Sequence, residues 1–203
     1  MQATRYLESA IAIGMQNHAE VHERWIGVMH AFCSRFGVGH MTMSSDTRLD
    51  MLLRSLEEEA LQAIRSNAVG IGFGADIHMS LSEQWVLRTY ESVRAACDIA
   101  RKRDEPRDKL VQLRELLELV RMPIAKREIA NPKKLPIDGL MLVREGDGPE
   151  KAEPYVNDGS YIPPRRICLE TGSVIWFPID IRTRQVVGVR RRDLSDAMLS
   201  VLD

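Results

Sequence analysis

The feature that most constrains the fold of this chain is a helical spacing of apolar residues through its first 132 positions. The clearest case lies between positions 49 and 64, after Ser45 or Asp46, either of which can cap a helix. Steps of three and four residues place apolar side chains on one face of an α-helix. That face is formed by Leu49, Leu52, Leu53, Leu56, Ala60, Ala63 and Ile64.

Three further segments have the same spacing. The first stripe runs from Leu7 to Phe36 and predicts one long helix or two stacked helices. The third helix is predicted to start at Ser80, because Glu83 completes the spacing of a capping box. The fourth is leucine-rich, and Pro123 is expected to kink or end it. Phosphate-binding loops lead from a strand directly into a helix, whereas GIGFG, positions 70–74, follows a predicted helix. This stretch is therefore predicted to be a connector.

The composition changes after Pro132, where prolines and glycines become frequent. A short strand is predicted at 140–144 and a loop at 145–161. The runs 173–181 and 186–191 are rich in β-formers and predict a hairpin, with Pro178 at an edge or a bulge. Asp193 is expected to cap a short C-terminal helix.

These patterns predict an α+β fold that is mostly α. A four- or five-helix bundle occupies residues 1–132. A small β-containing segment, with a hairpin and a short helix, occupies residues 133–203. Because a hairpin of this size is too small to fold alone, it should pack on the bundle or on a second copy of the chain.

Charge and cysteine content narrow the classes of function. With 28 basic and 29 acidic residues the net charge is −1, which argues against nucleic-acid binding through a bulk positive field. The three cysteines are widely spaced and predict reduced thiols rather than a disulfide framework. Neither a signal peptide nor a membrane-spanning stretch is recognisable, so a cytoplasmic protein without a membrane partner is expected. No cofactor is predicted.

Two groups of side chains suggest ligands. His18 and His22 are four residues apart on one helix and could reach one metal with an acid such as Glu91, but the HAEVH order differs from that of zinc peptidases. Both histidines also fall on the apolar stripe, which favours a structural role. The arginines of the C-terminal segment could face a nucleic acid beside Trp176 or Tyr161, although interleaved acids favour a solvated surface.

The third predicted helix carries Arg88, Glu91 and Arg94 on its outer face. Residues three positions apart there can form ion pairs between helical turns. Such pairs usually lie on a solvated surface. An inward orientation would instead indicate a buried ionic network of functional interest.

The end of the leucine-rich helix, LVRMPIAKREIA, contains Arg121, Lys126 and Glu128. This pattern resembles the HEPN superfamily, whose domains are bundles of four or five helices and include many metal-independent ribonucleases. The resemblance covers about the first 130 residues. The family signature is an arginine, four to six residues and a histidine, often at a dimer interface. Here Arg121 matches the arginine, and Lys126 stands where the histidine is expected.

The resemblance implies a helical bundle that forms dimers. The lysine argues against cleavage, because a side chain with a reference pKa of ~10.4 is a poor base at neutral pH. The expected function is a non-catalytic module for dimerisation or partner binding, in defence or regulation. The binding or interface residues are then Arg121, Lys126, Glu128, Arg88, Glu91 and Arg94, with no catalytic set assigned. A metal-independent ribonuclease or RNA-binding toxin is the alternative, and a small metalloenzyme using His18 and His22 is a second one.

Overall fold

A computed structural model describes residues 2–66, 72–131, 133, 139–142 and 151–202. The fold is α+β and mostly α, as predicted, with five helices before the C-terminal segment and one within it in the described residues. The helices are α1 Gln2–Asn17, α2 Ala19–Phe36, α3 His40–Arg65, α4 Gly72–Lys102, α5 Asp108–Lys126 and α6 Arg191–Leu199. The strands are β1 Met141–Leu142, β2 Glu153–Pro154, β3 Arg165–Ile167, β4 Val174–Trp176, β5 Ile179–Asp180, β6 Gln185–Val186 and β7 Val189–Arg190.

The first apolar stripe forms two helices that are almost continuous. His18 separates α1 from α2 with φ −122° and ψ 45°. Backbone hydrogen bonds nevertheless span the break, from His18 N–H to Gly14 O at 3.0 Å and from His22 N–H to His18 O at 2.9 Å. Helix α2 ends at Gly37, whose φ of 63° suits glycine.

Two predicted helix starts within the bundle are wrong. Helix α3 begins at His40, after Gly39, and Asp46 is buried inside the helix instead of capping it. Helix α4 begins at Gly72 and runs straight through Ser80, so the capping box does not form and no loop separates positions 72 and 80. The added turns contain His78, which is 2% exposed, so tertiary packing outweighs the weak helix propensity of the glycines here. Residues 67–71, which include the first part of GIGFG, lie outside the described residues.

Pro123 neither ends nor interrupts helix α5. It occupies the last turn and is buried, and the helix continues to Lys126. Arg127 follows in the left-handed conformation with φ 54°, and its N–H donates to Pro123 O at 2.9 Å. Proline removes the intrahelical donor to the carbonyl four residues before it, and only one turn of helix follows this lost bond.

The predicted hairpin is present as two short ladders in one register. Strand β4 pairs with β7 through Ile175 and Arg190, and β5 pairs with β6 through Ile179 and Val186. The interruption falls at Phe177–Pro178, and because the register is unchanged across it there is no bulge; β5, which follows Pro178, is an edge strand in the described residues, as one of the two expectations had it. Strand β3 was not predicted and adds a third strand beside β4. The structure describes residues 140–142 of the strand predicted at 140–144, and Met141–Leu142 form β1. Strand β1 pairs with β2, which lies within the loop predicted at 145–161. The expectation that Asp193 caps the C-terminal helix is also wrong, because helix α6 starts two residues earlier, at Arg191, and Asp193 lies in its first turn.

One main core joins the bundle to the C-terminal segment. Trp25, Trp85 and Val93 from the bundle are fully buried, as is Trp176 from β4, and Leu194 from α6 is 1% exposed in the same cluster. The predicted apolar faces of α2, α4 and α5 therefore point inward, apart from Leu116, which is 40% exposed. The prediction is wrong for the start of the first stripe, where Leu7 is 56% exposed. In the stripe at 49–64 only Leu53 is buried, because charged side chains occupy much of the buried side of α3. The C-terminal segment packs on the bundle through contacts of α6 with α5 and α2 and of β4 with α4.

Two helical glycines provide a test of this packing. A Cβ built at Gly14 in α1 would lie 2.9 Å from the carbonyl carbon of Met51 in α3, whereas one at Gly27 in α2 would meet nothing within 4 Å. We expect Gly14→Ala to lower the free energy of unfolding by about 1–3 kcal/mol through overpacking. Gly27→Ala should raise it by about 0.5–1 kcal/mol through helix propensity. Urea denaturation measures both, and equal effects of the two substitutions would contradict the α1–α3 packing.

Candidate functional site

Three of the six predicted site residues meet where α4 lies beside α5. Arg94 binds Glu91 at 2.9 Å, and Arg121 approaches the same carboxylate at 3.5 Å. The Arg121 guanidinium also lies 5.0 Å from the centre of the Tyr90 ring, in cation–π geometry. Glu91 therefore bridges the two arginines, and Arg121 is held between a carboxylate and an aromatic ring.

The phenol of Tyr90 is surrounded by charge. Burial raises its pKa, and the nearby carboxylates of Glu118 and Glu91 raise it further against the opposing effects of Arg121 and Arg114. The phenol therefore stays protonated at neutral pH and does not act as a base. We call these six side chains the α4–α5 cluster: Tyr90, Glu91, Arg94, Arg114, Glu118 and Arg121.

The other three predicted residues lie elsewhere. Arg88 points across the α3–α4 interface and binds Asp46 at 2.5 Å. Burial raises the pKa of Asp46, and the hydrogen bond from Arg88 opposes that rise. Lys126 is exposed in the last turn of α5, and Glu128 lies beyond the helix end, half-buried. The predicted set of six is therefore divided among three places.

The two histidines proposed as metal ligands lie at the junction of α1 and α2. His18 Nε2 is 3.2 Å from Glu58 Oε1 on α3. Burial lowers the pKa of His18, against the raising effect of Glu58. Among the residues that the structure describes, no group of three or more His, Cys, Asp or Glu side chains is arranged to hold a metal ion.

Sequence reasoning missed a cluster of buried charged side chains between α3 and α6. Arg191, in the first turn of α6, is fully buried and binds both Asp50 and Glu57 of α3, which are also fully buried. The Arg191 contact to Glu57 measures 2.5 Å between Nη2 and Oε1. Arg54 binds Asp50 at 2.8 Å, and Arg192 donates from Nε to Glu57 at 2.5 Å. We call this group the buried network.

Neighbouring groups complete the hydrogen bonding of the buried network. Trp25 Nε1 donates to Asp50 at 2.8 Å, and the Trp85 ring lies 5.6 Å from the Arg191 guanidinium carbon. Arg54 reaches Ser195 at 2.9 Å and Asp196 at 2.6 Å, both on α6. Buried ions are stable only when their partners are in place. The network therefore joins α2, α3, α4 and α6 at one point.

The ionisation of the buried network follows from these contacts. Burial alone would raise the pKa of Asp50, but Arg191 and Arg54 lower it to about 2. Burial also opposes ionisation of Glu57, yet Arg191 and Arg192 hold its pKa below the ordinary value. Both carboxylates are thus charged at neutral pH, which matches their arginine partners and leaves no group poised for proton transfer there.

Most arginines of the C-terminal segment contact carboxylates of the same chain. Arg165 binds Glu83, and Arg182 binds Glu115 at 2.7 Å. Arg190 lies 3.2 Å from Asp193. These ion pairs fit the interleaved acids noted in the sequence and favour the solvated-surface interpretation over a nucleic-acid patch.

Comparison of the chain with protein-family models, curated proteins and solved structures found no match. Among the described residues, no helix combines the length and apolar character that crossing a membrane requires. The HEPN resemblance thus stays a prediction, and function has to be argued from geometry.

The buried network predicts a large effect on stability. Arg191→Met should lower the free energy of unfolding by about 3–5 kcal/mol, because it leaves Asp50 and Glu57 buried without their shared cation. The control is Arg165→Met, which removes a partly exposed ion pair and should cost at most about 1 kcal/mol. Urea denaturation followed by tryptophan fluorescence measures both. Similar losses in the two variants would contradict this account of the network.

The buried side chain of His78 on α4 predicts that the stability of the fold depends on pH. Burial lowers its pKa to about 4, against the raising effect of nearby Glu57. Between about pH 6.5 and 4 the unfolded chain binds a proton at this histidine and the folded chain does not, so stability falls as the pH falls through that window. The loss amounts to at most roughly 3 kcal/mol. In His78→Gln the slope of stability against pH should be shallower over this range, and an unchanged slope would refute the assignment.

Proposed function

We propose that this chain is a non-catalytic interaction module that dimerises or binds a partner protein through the α4–α5 cluster. The observation that carries the proposal is the ion-pair arrangement around Arg121. Glu91 and Arg94 are each about half exposed, with side-chain exposure of 49%, and Arg121 retains 23%. The patch is thus accessible and held in a defined geometry by its own charges.

The charge pattern of the α4–α5 cluster suits self-association. Three arginines and two glutamates alternate over the adjoining faces of two helices. A two-fold interface places the same patch on both subunits, so a patch that contains both signs can be complementary to itself. Complementary charges set the register and the rate of association more than the raw affinity.

The same geometry favours binding over cleavage. A catalytic arginine stabilises the transition state by donors that face the place where negative charge develops on the phosphate. Arg121 is instead engaged by Glu91 and the Tyr90 ring. The neighbouring phenol is protonated, and a lysine stands where the family has its histidine. A role in defence or regulation follows only from the HEPN resemblance and is part of this proposal.

Charge reversal tests the proposal. We expect light scattering after size exclusion to give a dimer mass for the native chain. Arg121→Glu should weaken dimerisation at least about tenfold, because it places like charges together. The double variant Arg121→Glu with Glu91→Arg should recover much of that loss. Arg48→Glu, an equal charge change at an exposed position on α3, is the control and should leave the mass unchanged.

A native chain that is monomeric at every protein concentration and every salt concentration tested would contradict the dimer. The ribonuclease alternative has its own readout, which is cleavage of RNA with and without a chelator. Cleavage that persists with the chelator and disappears in Arg121→Ala would replace the proposed function by that alternative.

A further inference from the structure

The C-terminal segment contains an open apolar groove that shares no residue with the α4–α5 cluster. Its volume is about 790 Å³. The walls come from strands β1, β2, β5 and β6 and from the loop at positions 155–164. Its principal apolar and aromatic side chains are Leu142, Tyr155, Tyr161, Ile162, Phe177 and Val186.

The aromatic walls of the groove are fixed in place. Tyr161 Oη accepts a hydrogen bond from Ile179 N–H at 3.2 Å. Tyr155 Oη accepts one from Ile129 N–H at 3.3 Å and donates to Asn157 Oδ1 at 2.9 Å. The two rings meet edge to face, with centroids 6.1 Å apart. A ligand would therefore meet rigid rings that lose little conformational freedom on binding.

The groove is open and its rim is apolar. Val156, Ile162 and Val186 line it and are each more than 60% exposed. A small molecule buries most of its surface in an enclosed pocket. A contiguous exposed apolar rim is typical of a surface that receives a segment of another chain.

The rim also carries charge: Glu153, Asp158 and Arg184 line the groove, so acidic side chains outnumber basic ones there by two to one. Asp158 lines the groove and is fully exposed, and its carboxylate accepts a hydrogen bond from Ser160 N–H at 2.9 Å. Hydrogen bonds from the Ser160 side chain and backbone hold the pKa of Asp158 below its ordinary value. It is thus ionised at neutral pH and suits a basic residue of a ligand.

We propose that this groove binds an extended, proline-rich segment of a partner protein, with a lysine or arginine of that segment at Asp158. Such segments adopt the polyproline II conformation before they bind, and their ridges pack between aromatic side chains. Tyr155, Tyr161 and Phe177 provide the rings, and Pro154, Pro163 and Pro164 complete the lining. The aromatic lining and the acidic rim are the two observations that select this class of ligand.

The experiment measures fluorescence anisotropy of a labelled peptide, Lys-Pro-Pro-Leu-Pro-Pro-Leu-Pro, titrated with the full chain. A second peptide carries Glu in place of the Lys. We expect saturable binding of the first peptide and weaker binding of the second. Asp158→Lys should reverse that order of preference, with a change of about fivefold for each peptide, as befits an exposed ion pair.

Substitutions at two exposed apolar positions distinguish the loss of groove contacts from a general effect of adding a charge. Val186→Asp should weaken binding of the lysine peptide at least about tenfold, because it places a charge on the groove wall. Leu169→Asp is the matched control, since Leu169 is 71% exposed in the same segment and lies outside the groove lining. Circular dichroism checks that each variant keeps its helical content.

Several outcomes would overturn the proposal. These are no saturable binding of either peptide, equal binding of both peptides, or equal loss in Val186→Asp and Leu169→Asp. Binding of a small apolar dye that the peptide does not displace would assign the groove to a small molecule instead. A monomeric native chain that still binds the peptide would contradict the proposed dimer alone, so the two proposals fail separately.

Discussion

The ion pairs of Arg191 with Asp50 and Glu57 hold α6 against α3 in the centre of the protein. All three side chains are fully buried. Two buried carboxylates without a cation would carry a heavy desolvation penalty, as would the cation without them. The chain can therefore complete its core only when α6 inserts Arg191 beside α3. This requirement makes the C-terminal segment part of the bundle's stability, although the strands among its described residues are only two or three residues long.

The same interaction organises the surroundings of α3. Trp25 donates to Asp50, and the Trp85 ring faces the Arg191 guanidinium. The turn before β4 also touches this helix, because a Cβ built at Gly172 would collide with the backbone of Glu57. The φ of 70° at Gly172 further restricts that position to glycine. Helices and hairpin are thus positioned by one polar centre within an apolar core.

Function is expected at the surface, since the groups of the buried network are all paired. The α4–α5 cluster and the apolar groove differ in chemistry. The cluster offers alternating charges on two helices, which suit a second copy of the chain or a partner protein. The groove offers fixed rings and an acidic rim, which suit a proline-rich segment. A protein with both surfaces could bring two different partners together, which fits the proposed role as an interaction module.

The sequence alone determined the helical class of the fold, the inward direction of the apolar faces of α2, α4 and α5, and the presence of the C-terminal hairpin. These features depend on local spacing, which is readable over a few residues. It also indicated that Glu91, Arg94 and Arg121 are candidates, but it could not separate them from Arg88, Lys126 and Glu128. That separation depends on how α4 rotates against α3 and α5.

Tertiary structure alone decided the starts of α3 and α4 and the buried network. A signal for the network did exist, since Asp50, Arg54 and Glu57 recur at helical spacing beside the apolar stripe of α3. That spacing is equally typical of a solvated face. Those charges are buried because Arg191, 134 positions after Glu57, binds both carboxylates from α6. The distinction between a solvated and a buried charge is therefore set by a contact that no local window of sequence contains.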